Sequence, residues 1–193
     1  APLIMDSAGN LYGTTTEGGA NGDGTVFSLA LDGTVTVLHD FDAENYQPYG
    51  RLYMDGAGNL FGTTYYGGNI CDNGLTCGAV FKLTTDGTYT VLHAFNGGDD
   101  GAFPRSGLVS DGAGNLYGTT EEGGGLGTSL CGDIGCGTIY RLAPDGTETV
   151  LYRFAGADGA NPAGDLTLDA RGNLYGTTRA GGNLGQVCPF EPN

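Results

Sequence analysis

The sequence predicts an all-β fold, a β-propeller-like array of four-stranded blades with three complete copies and one incomplete; a β-solenoid of stacked hairpin repeats is the alternative. Three observations lead there. The decapeptides DSAGNLYGTT (Asp6 to Thr15), DGAGNLFGTT (Asp55 to Thr64), DGAGNLYGTT (Asp111 to Thr120) and DARGNLYGTT (Asp169 to Thr178) are near copies of one another. Asp32-Gly33, Asp86-Gly87 and Asp145-Gly146 each separate two segments of alternating apolar and polar residues, a hairpin signal. Glycine supplies 39 of the 193 residues with no three-residue period, so the chain is rich in tight turns rather than collagenous. Four strands recurring at a period of roughly 50 residues are the mark of propeller blades, which bury their faces against neighbouring blades.

Each unit reads in the same order. The first strand ends at the aspartate (PLIMD, GRLYMD, SGLVSD, GDLTLD), and a D-x-x-G-N turn, whose glycine can take positive φ, leads into the second strand, NLYGTT or NLFGTT. The third strand is GTVFSL, GAVFKL or GTIYRL, and the fourth is TVTVLHDF, TYTVLHAF or TETVLYRF. Strict alternation in the fourth strand places Val37, His39 and Phe41 on one face with Leu38 and Asp40 on the other. The same pattern repeats at Val91, His93, Phe95 and at Val150, Tyr152, Phe154. The copies run approximately 1–47, 48–103, 104–161 and 162–193 within a single β-repeat domain, 1–193, and the last has no third or fourth strand. Length differences fall in the second-to-third and fourth-to-first connections, which leave an up-and-down blade on the same face. Variable loops on a rigid repeat are where recognition is expected.

The formal charge is −15, with Lys82 the only lysine beside six arginines, so a phosphate backbone or an anionic membrane surface is repelled at long range. Nucleic acid is therefore not an expected partner. Membrane insertion is not expected either, because no apolar run approaches the roughly 20 residues that span a bilayer. A chain starting at Ala1 suits a processed secreted protein and a segment of a longer one equally well.

Cys71 and Cys77 lie in the second-to-third loop of copy two, and Cys131 and Cys136 in the matching loop of copy three. Local disulfides are the preferred reading over zinc, which would need thiolates from separate blades to converge. Disulfides in turn imply an oxidising compartment, hence an extracellular or cell-surface location. Cys188 stands where the first cysteine of a further pair would fall and is expected to be an unpaired or intermolecular thiol. A sheet that ends after two strands offers an open edge, so self-association by strand complementation, up to a filament, is expected.

Candidate chemistry is sparse, and no catalytic or metal-ligating residue is assigned. His39 and His93 share their repeat position with Tyr152, which favours packing over a general base. Asp6, Asp55, Asp111 and Asp169 are read as turn-capping residues rather than calcium ligands, because the spacing lacks the alternating oxygen ligands of a calcium loop. Asp42, Glu44, Asp99, Asp100 and Asp158, in the fourth-to-first links, are the candidate binding loop: a Ca²⁺ site on the variable face, or solvated carboxylates. No pair among them is singled out for glycoside hydrolysis. The doubled threonines, such as Thr14-Thr15 and Thr63-Thr64, are assigned to packing within a layer, and no N-x-S/T sequon occurs.

The strings F-x-G-x-D-G-A-x-P, G-L-V-x-D-x-x-G-N-L-Y-G-T-T-x-x-G-G, G-T-V-F-x-L and T-V-L-H-x-F together resemble the GloVer-type tandem repeat of secreted or surface-anchored bacterial proteins, over essentially the whole chain. Copy one departs in DFDAENYQP and lacks cysteines, and copy four stops at GGNLGQVCPFEPN. The resemblance implies a propeller-like extracellular repeat protein without an established activity. The functional expectation is a non-enzymatic extracellular structural or adhesion scaffold. A glycan- or cation-binding module is the second hypothesis and a polysaccharide-acting propeller enzyme the third.

Overall fold

In the computed structural model, which describes residues 1–71, 74–125, 131 and 134–182, every copy turns on the same aspartate. Asp6 Oδ1 accepts the N–H groups of Ala8 and Asn10, both at 2.9 Å, while its Oδ2 accepts the Asn10 amide at 2.8 Å. Asp55, Asp111 and Asp169 repeat this pattern with Asn59, Asn115 and Asn173. In three copies a phenol on the following strand, Tyr12, Tyr117 or Tyr175, adds a further bond to the carboxylate. The asparagine bond is the largest influence holding Asp6, Asp111 and Asp169 below the ordinary carboxylate range, and Asp169 falls to about 2. These aspartates cap turns, and their oxygens are spent on local donors.

The first blade is the antiparallel meander Ile4–Met5, Leu11–Thr15, Thr25–Leu29, Val35–Asp40. The second is Tyr53–Met54, Leu60–Thr64, Ala79–Leu83, Tyr89–Ala94. The third comprises Val109–Ser110, Leu116–Glu122, Thr138–Leu142 and Glu148–Arg153, with Ala102–Pro104 added to the far end of Leu116–Glu122. In the fourth copy Thr167–Leu168 pairs with Leu174–Tyr175, and Ala160–Pro162 with Thr178–Ala180. The first strand is thus interrupted, and part of the link from the preceding blade joins the sheet. Asn45–Tyr46 does the same in copy two by pairing with Tyr66–Gly67.

Strict alternation in the fourth strand does not survive. Val26 pairs with His39 and Phe27 with Val37, so the register skips Leu38; it skips Leu92 and Leu151 at the equivalent places. One extra residue per strand turns the histidine away from the valine's face. Val37 and Val91 are therefore exposed, whereas Phe41 and Phe95 are buried.

Burial is concentrated between blades, in two layers. Val26, Phe41, Leu52, Leu60, Phe81 and Leu83 fill the first junction, and Val80, Phe95, Leu108, Leu116, Tyr140 and Leu142 belong to the second. Sheets that cover one another sideways are the propeller arrangement. The doubled threonines divide the work. Thr14 and Thr63 donate to the carbonyls of Pro48 (3.3 Å) and Ser106 (3.0 Å) in the next copy, while Thr15 and Thr120 bond Thr25 and Thr138 within their own sheets. Each junction also leaves the same groove, lined by Tyr12, Leu38 and Leu83 in one case and by Phe61, Leu92 and Leu142 in the other. Its recurrence marks it as a product of the repeat.

The glycine before each threonine pair is required by close approach. A Cβ on Gly62 would lie 2.6 Å from the Phe81 ring, and one on Gly118 2.5 Å from the Tyr140 hydroxyl. Gly62→Ala is expected to cost about 1–3 kcal/mol in urea denaturation through overpacking. Gly56→Ala, where a Cβ would meet nothing within 4 Å, should be near neutral. Equal losses at both positions would remove the packing explanation. The turn aspartates predict an acid limit: their depressed values contribute stability above pH 3.8 that is lost as pH falls toward 2. Circular dichroism should show the Asp169→Asn variant losing less than the wild type over that interval.

Candidate functional site

The inner segments of three successive copies meet along one line. Gly50 lies so close to the next copy that a Cβ there would be 2.3 Å from the Ser106 carbonyl oxygen. The Gly107 N–H donates to Asp165 Oδ1 at 2.6 Å, and Asp165 Oδ2 stands 3.7 Å from Arg51 Nε. Residues of copies two, three and four thus converge at one point, which is the hub of the array.

The position immediately after the doubled threonine lies beside this hub, and it differs in every copy: Thr16, Tyr65, Glu121, Arg179. Glu121, with only 8% of its side chain exposed, sits between Arg105 Nη1 at 3.4 Å and Arg179 Nη1. The Asn161 amide donates to its backbone carbonyl at 3.0 Å. The Arg105 guanidinium lies 4.9 Å above the Tyr49 ring and 6.0 Å from Tyr65. Tyr65 in turn meets Tyr49 edge-on at 5.4 Å and stacks on Phe103 at 5.1 Å. Burial, and then the charges of Glu121 and Glu122, raise the Tyr65 phenol. Glu122 is raised first by burial and second by Glu121, so this carboxyl holds its proton longer than an exposed one. Carboxylates, guanidinium groups and aromatic faces therefore share one partly buried mouth.

The backbone at this mouth is held in an unusual conformation. Gln47, Phe103 and Asn161 have φ of 56°, 59° and 53°, and each precedes a proline. Non-glycine residues adopt this region only when their surroundings impose it. Here the imposing contact is a hydrogen bond from each amide, at the segment that joins the next blade, to the second-to-third loop of the blade before it. Phe103 N donates to Cys77 O at 2.8 Å, Asn161 N to Cys136 O at 2.8 Å, and Gln47 N to Asp23 O at 3.2 Å. Cys71–Cys77 and Cys131–Cys136 are disulfide-bonded, so two of the three anchoring loops are cross-linked. Cys188 lies outside the described residues.

The acidic link residues are not brought together. Asp42 Oδ1 accepts the Glu44 N–H, and the Glu44 carbonyl accepts Gly68 N. The Asp99 carbonyl accepts from Arg153; Asp100 bonds His93 and Asn96; Asp158 bonds Tyr152 and the Ala155 N–H. Asp42, Asp100 and Asp158 thus bond within or beside their own links, while the backbone carbonyls of Glu44 and Asp99 reach other segments. Among the described residues no group of three His, Cys, Asp or Glu side chains is placed to hold a metal ion. His39 stacks on Tyr89 at 4.1 Å, in keeping with a packing role, whereas His93 pairs with Asp100 at 3.2 Å. The hub cluster escaped the sequence reading. Its one signal was the variable residue that follows an otherwise constant Gly-Thr-Thr.

Residues 1–131 match the family model described as the Gloeobacter/Verrucomicrobia repeat. No curated protein matches the chain in sequence. Among solved structures, a gluconolactonase from Xanthomonas campestris aligns with 90% of the chain and 52% of its own length, at 20% identity and a TM-score of 0.60. The periplasmic gluconolactonase of Pseudomonas aeruginosa aligns with 91% of the chain and 49% of its own, at 16% identity and a TM-score of 0.53. A luciferin-regenerating enzyme aligns with 94% and 59%, at 15% identity and a TM-score of 0.53. The chain spans about half the length of the two gluconolactonases.

These likenesses establish a propeller-like fold, and they correct the functional expectation. The solved structures that share the blade arrangement include gluconolactonases, a finding that overturns the expectation of a non-enzymatic scaffold. No helix among the described residues is long and apolar enough to cross a membrane. The two disulfides fit a secreted or periplasmic protein.

Glu121 is the keystone of the mouth. Glu121→Gln removes the charge shared by Arg105 and Arg179 and should lower stability by about 1–3 kcal/mol in urea denaturation. Unchanged stability would mean that the two guanidinium contacts hold nothing in place.

Proposed function

We propose, for a chain that belongs to the Gloeobacter/Verrucomicrobia repeat family, an enzymatic role: it forms one wall of a propeller hub that hydrolyses a cyclic ester of a carbohydrate-derived acid. The observation carrying this reading is the convergence of Tyr65, Glu121 and Arg179 from one repeat position, together with Arg105 and Glu122, at the hub mouth. The blade arrangement shared with gluconolactonases supports it, and so do aromatic rings beside carboxylates, which suit a polyhydroxylated ring with apolar faces.

The chemistry follows from the groups present. Arg105 and Arg179 each bond Glu121 through one nitrogen, and their other N–H groups would hold the ester carbonyl oxygen and stabilise the negative charge it gains in the transition state. Glu122, made a stronger base by burial and by Glu121, takes a proton from water in its ionised form as the water oxygen adds to the carbonyl carbon. The ring C–O bond then breaks and the proton passes to the departing hydroxyl, leaving an open hydroxy acid. Glu121 fixes the two arginines, and Tyr49 and Tyr65 bound the sugar face. The disulfides favour an extracellular or cell-surface setting, where glycan-derived substrates are met, and the acidic surface disfavours nucleic acid.

The test is the hydrolysis rate of D-glucono-1,5-lactone and related sugar lactones by pH-stat titration. Glu122→Gln is expected to lower the rate by about 10²–10⁴-fold with little change in stability. Turnover that is equal in the wild type and the variant would sink the assignment.

A further inference from the structure

The first two blade junctions are built from equivalent positions, yet they differ chemically. In the first, His39 stacks flat on Tyr89 at 4.1 Å, and Phe41 meets Phe81 at 5.4 Å. In the second, His93 and Phe95 stand in the same places, and Phe95 meets Tyr140 at 5.1 Å. The position of Tyr89, however, is taken by Glu148. An aromatic ring has been replaced by a carboxyl facing an imidazole that is already bound to another carboxylate, Asp100 Oδ1, at 3.2 Å.

The neighbourhood of Glu148 is unbalanced. Its Oε1 is buried and has no hydrogen-bond partner among the described residues. From the second blade it faces His93 and Asp100, and Asp99 of the same link lines the adjoining depression. On its own strand it has Arg153, and on the adjacent strand the buried Tyr140 hydroxyl, which also lacks a partner. Asp100 is kept ionised by His93 and by two bonds from Asn96, at 2.7 Å and 3.0 Å, which outweigh its own burial.

We propose that Glu148 is a proton-operated latch between the second and third blades: uncharged, its carboxyl closes the junction against the His93–Asp100 pair, and ionised, it confronts Asp100 and loosens the junction. The device reaches the hub through the backbone. The link that carries Asp100 continues directly into Ala102–Pro104, and so into Phe103 and Arg105 at the mouth.

The direction of the pH effect follows from the geometry. Burial, then the charge of Asp100, raises the Glu148 carboxyl from 4.5 to about 7, against the smaller opposing pull of His93 and Arg153. A carboxyl raised in the folded state contributes no penalty below the unfolded value of 4.5, and its penalty grows until pH passes about 7. This window lies above the one in which the turn aspartates fail.

Melting temperatures between pH 4.5 and 8 should fall for the wild type by roughly 4 °C more than for Glu148→Gln. Glu148→Tyr rebuilds the stacked junction of the first pair and should be equally insensitive to pH over this range. Parallel curves for the wild type and both variants would overturn the proposal. A carbon-13 NMR titration of the Glu148 carboxyl in the wild type decides the matter without any variant: a midpoint near 7 supports the latch, and one near 4.5 refutes it.

Discussion

A glycine and a threonine on each second strand decide how closely that strand packs against its own sheet and against the inner segment beside it. Gly62 admits the Phe81 ring and Gly118 the Tyr140 ring, while the hydroxyls of Thr63 and Thr119 bond the Ser106 carbonyl and hydroxyl of an inner segment. Any side chain at the glycine would push the sheet away from its own third strand, and loss of the hydroxyl would strand a buried acceptor. The near identity of Gly-Thr-Thr across copies is therefore a packing requirement. The first residue released from it is the next one along, and there the four copies diverge into Thr16, Tyr65, Glu121 and Arg179. Constancy of the frame is what allows a single variable position to build a mixed cluster at the hub.

Much of the architecture was legible because it rests on local chemistry. The Asp-Gly hairpins, the aspartate-capped turns and the paired cysteines involve residues at most a few positions apart, and the structure places them as the spacing implied. The hub was not legible for the opposite reason. Glu121 and Arg179 lie 58 positions apart in the chain and are joined only once the blades are stacked. In the acidic links the local bonds follow the chain: Asp100 accepts from the Asn96 N–H and Asp158 from the Ala155 N–H. The fourth strand misled because one extra residue, Leu38 or its equivalents, reverses the face of everything that follows.

The scaffold expectation drew its weight from an incomplete last copy and from the sparseness of candidate chemistry along the sequence. Neither feature bears on what the middle of the array can do. Three of the six arginines, Arg51, Arg105 and Arg179, contact carboxylates at the hub of a chain whose net charge is −15. Positive groups gathered where blades converge, in a protein otherwise short of them, are positioned for local electrostatic work rather than for solubility.

The residues of positive φ lie where the chain passes from one blade to the next, and they are held by the blade they leave. The amide of Phe103 is gripped by Cys77 and that of Asn161 by Cys136, so the backbone at each part of the mouth is held by the loop before it. Inheritance in this array is consequently offset by one unit. Lengthening a loop in one blade reshapes the mouth at its successor, and each blade takes the contour of its mouth from whichever blade stands before it.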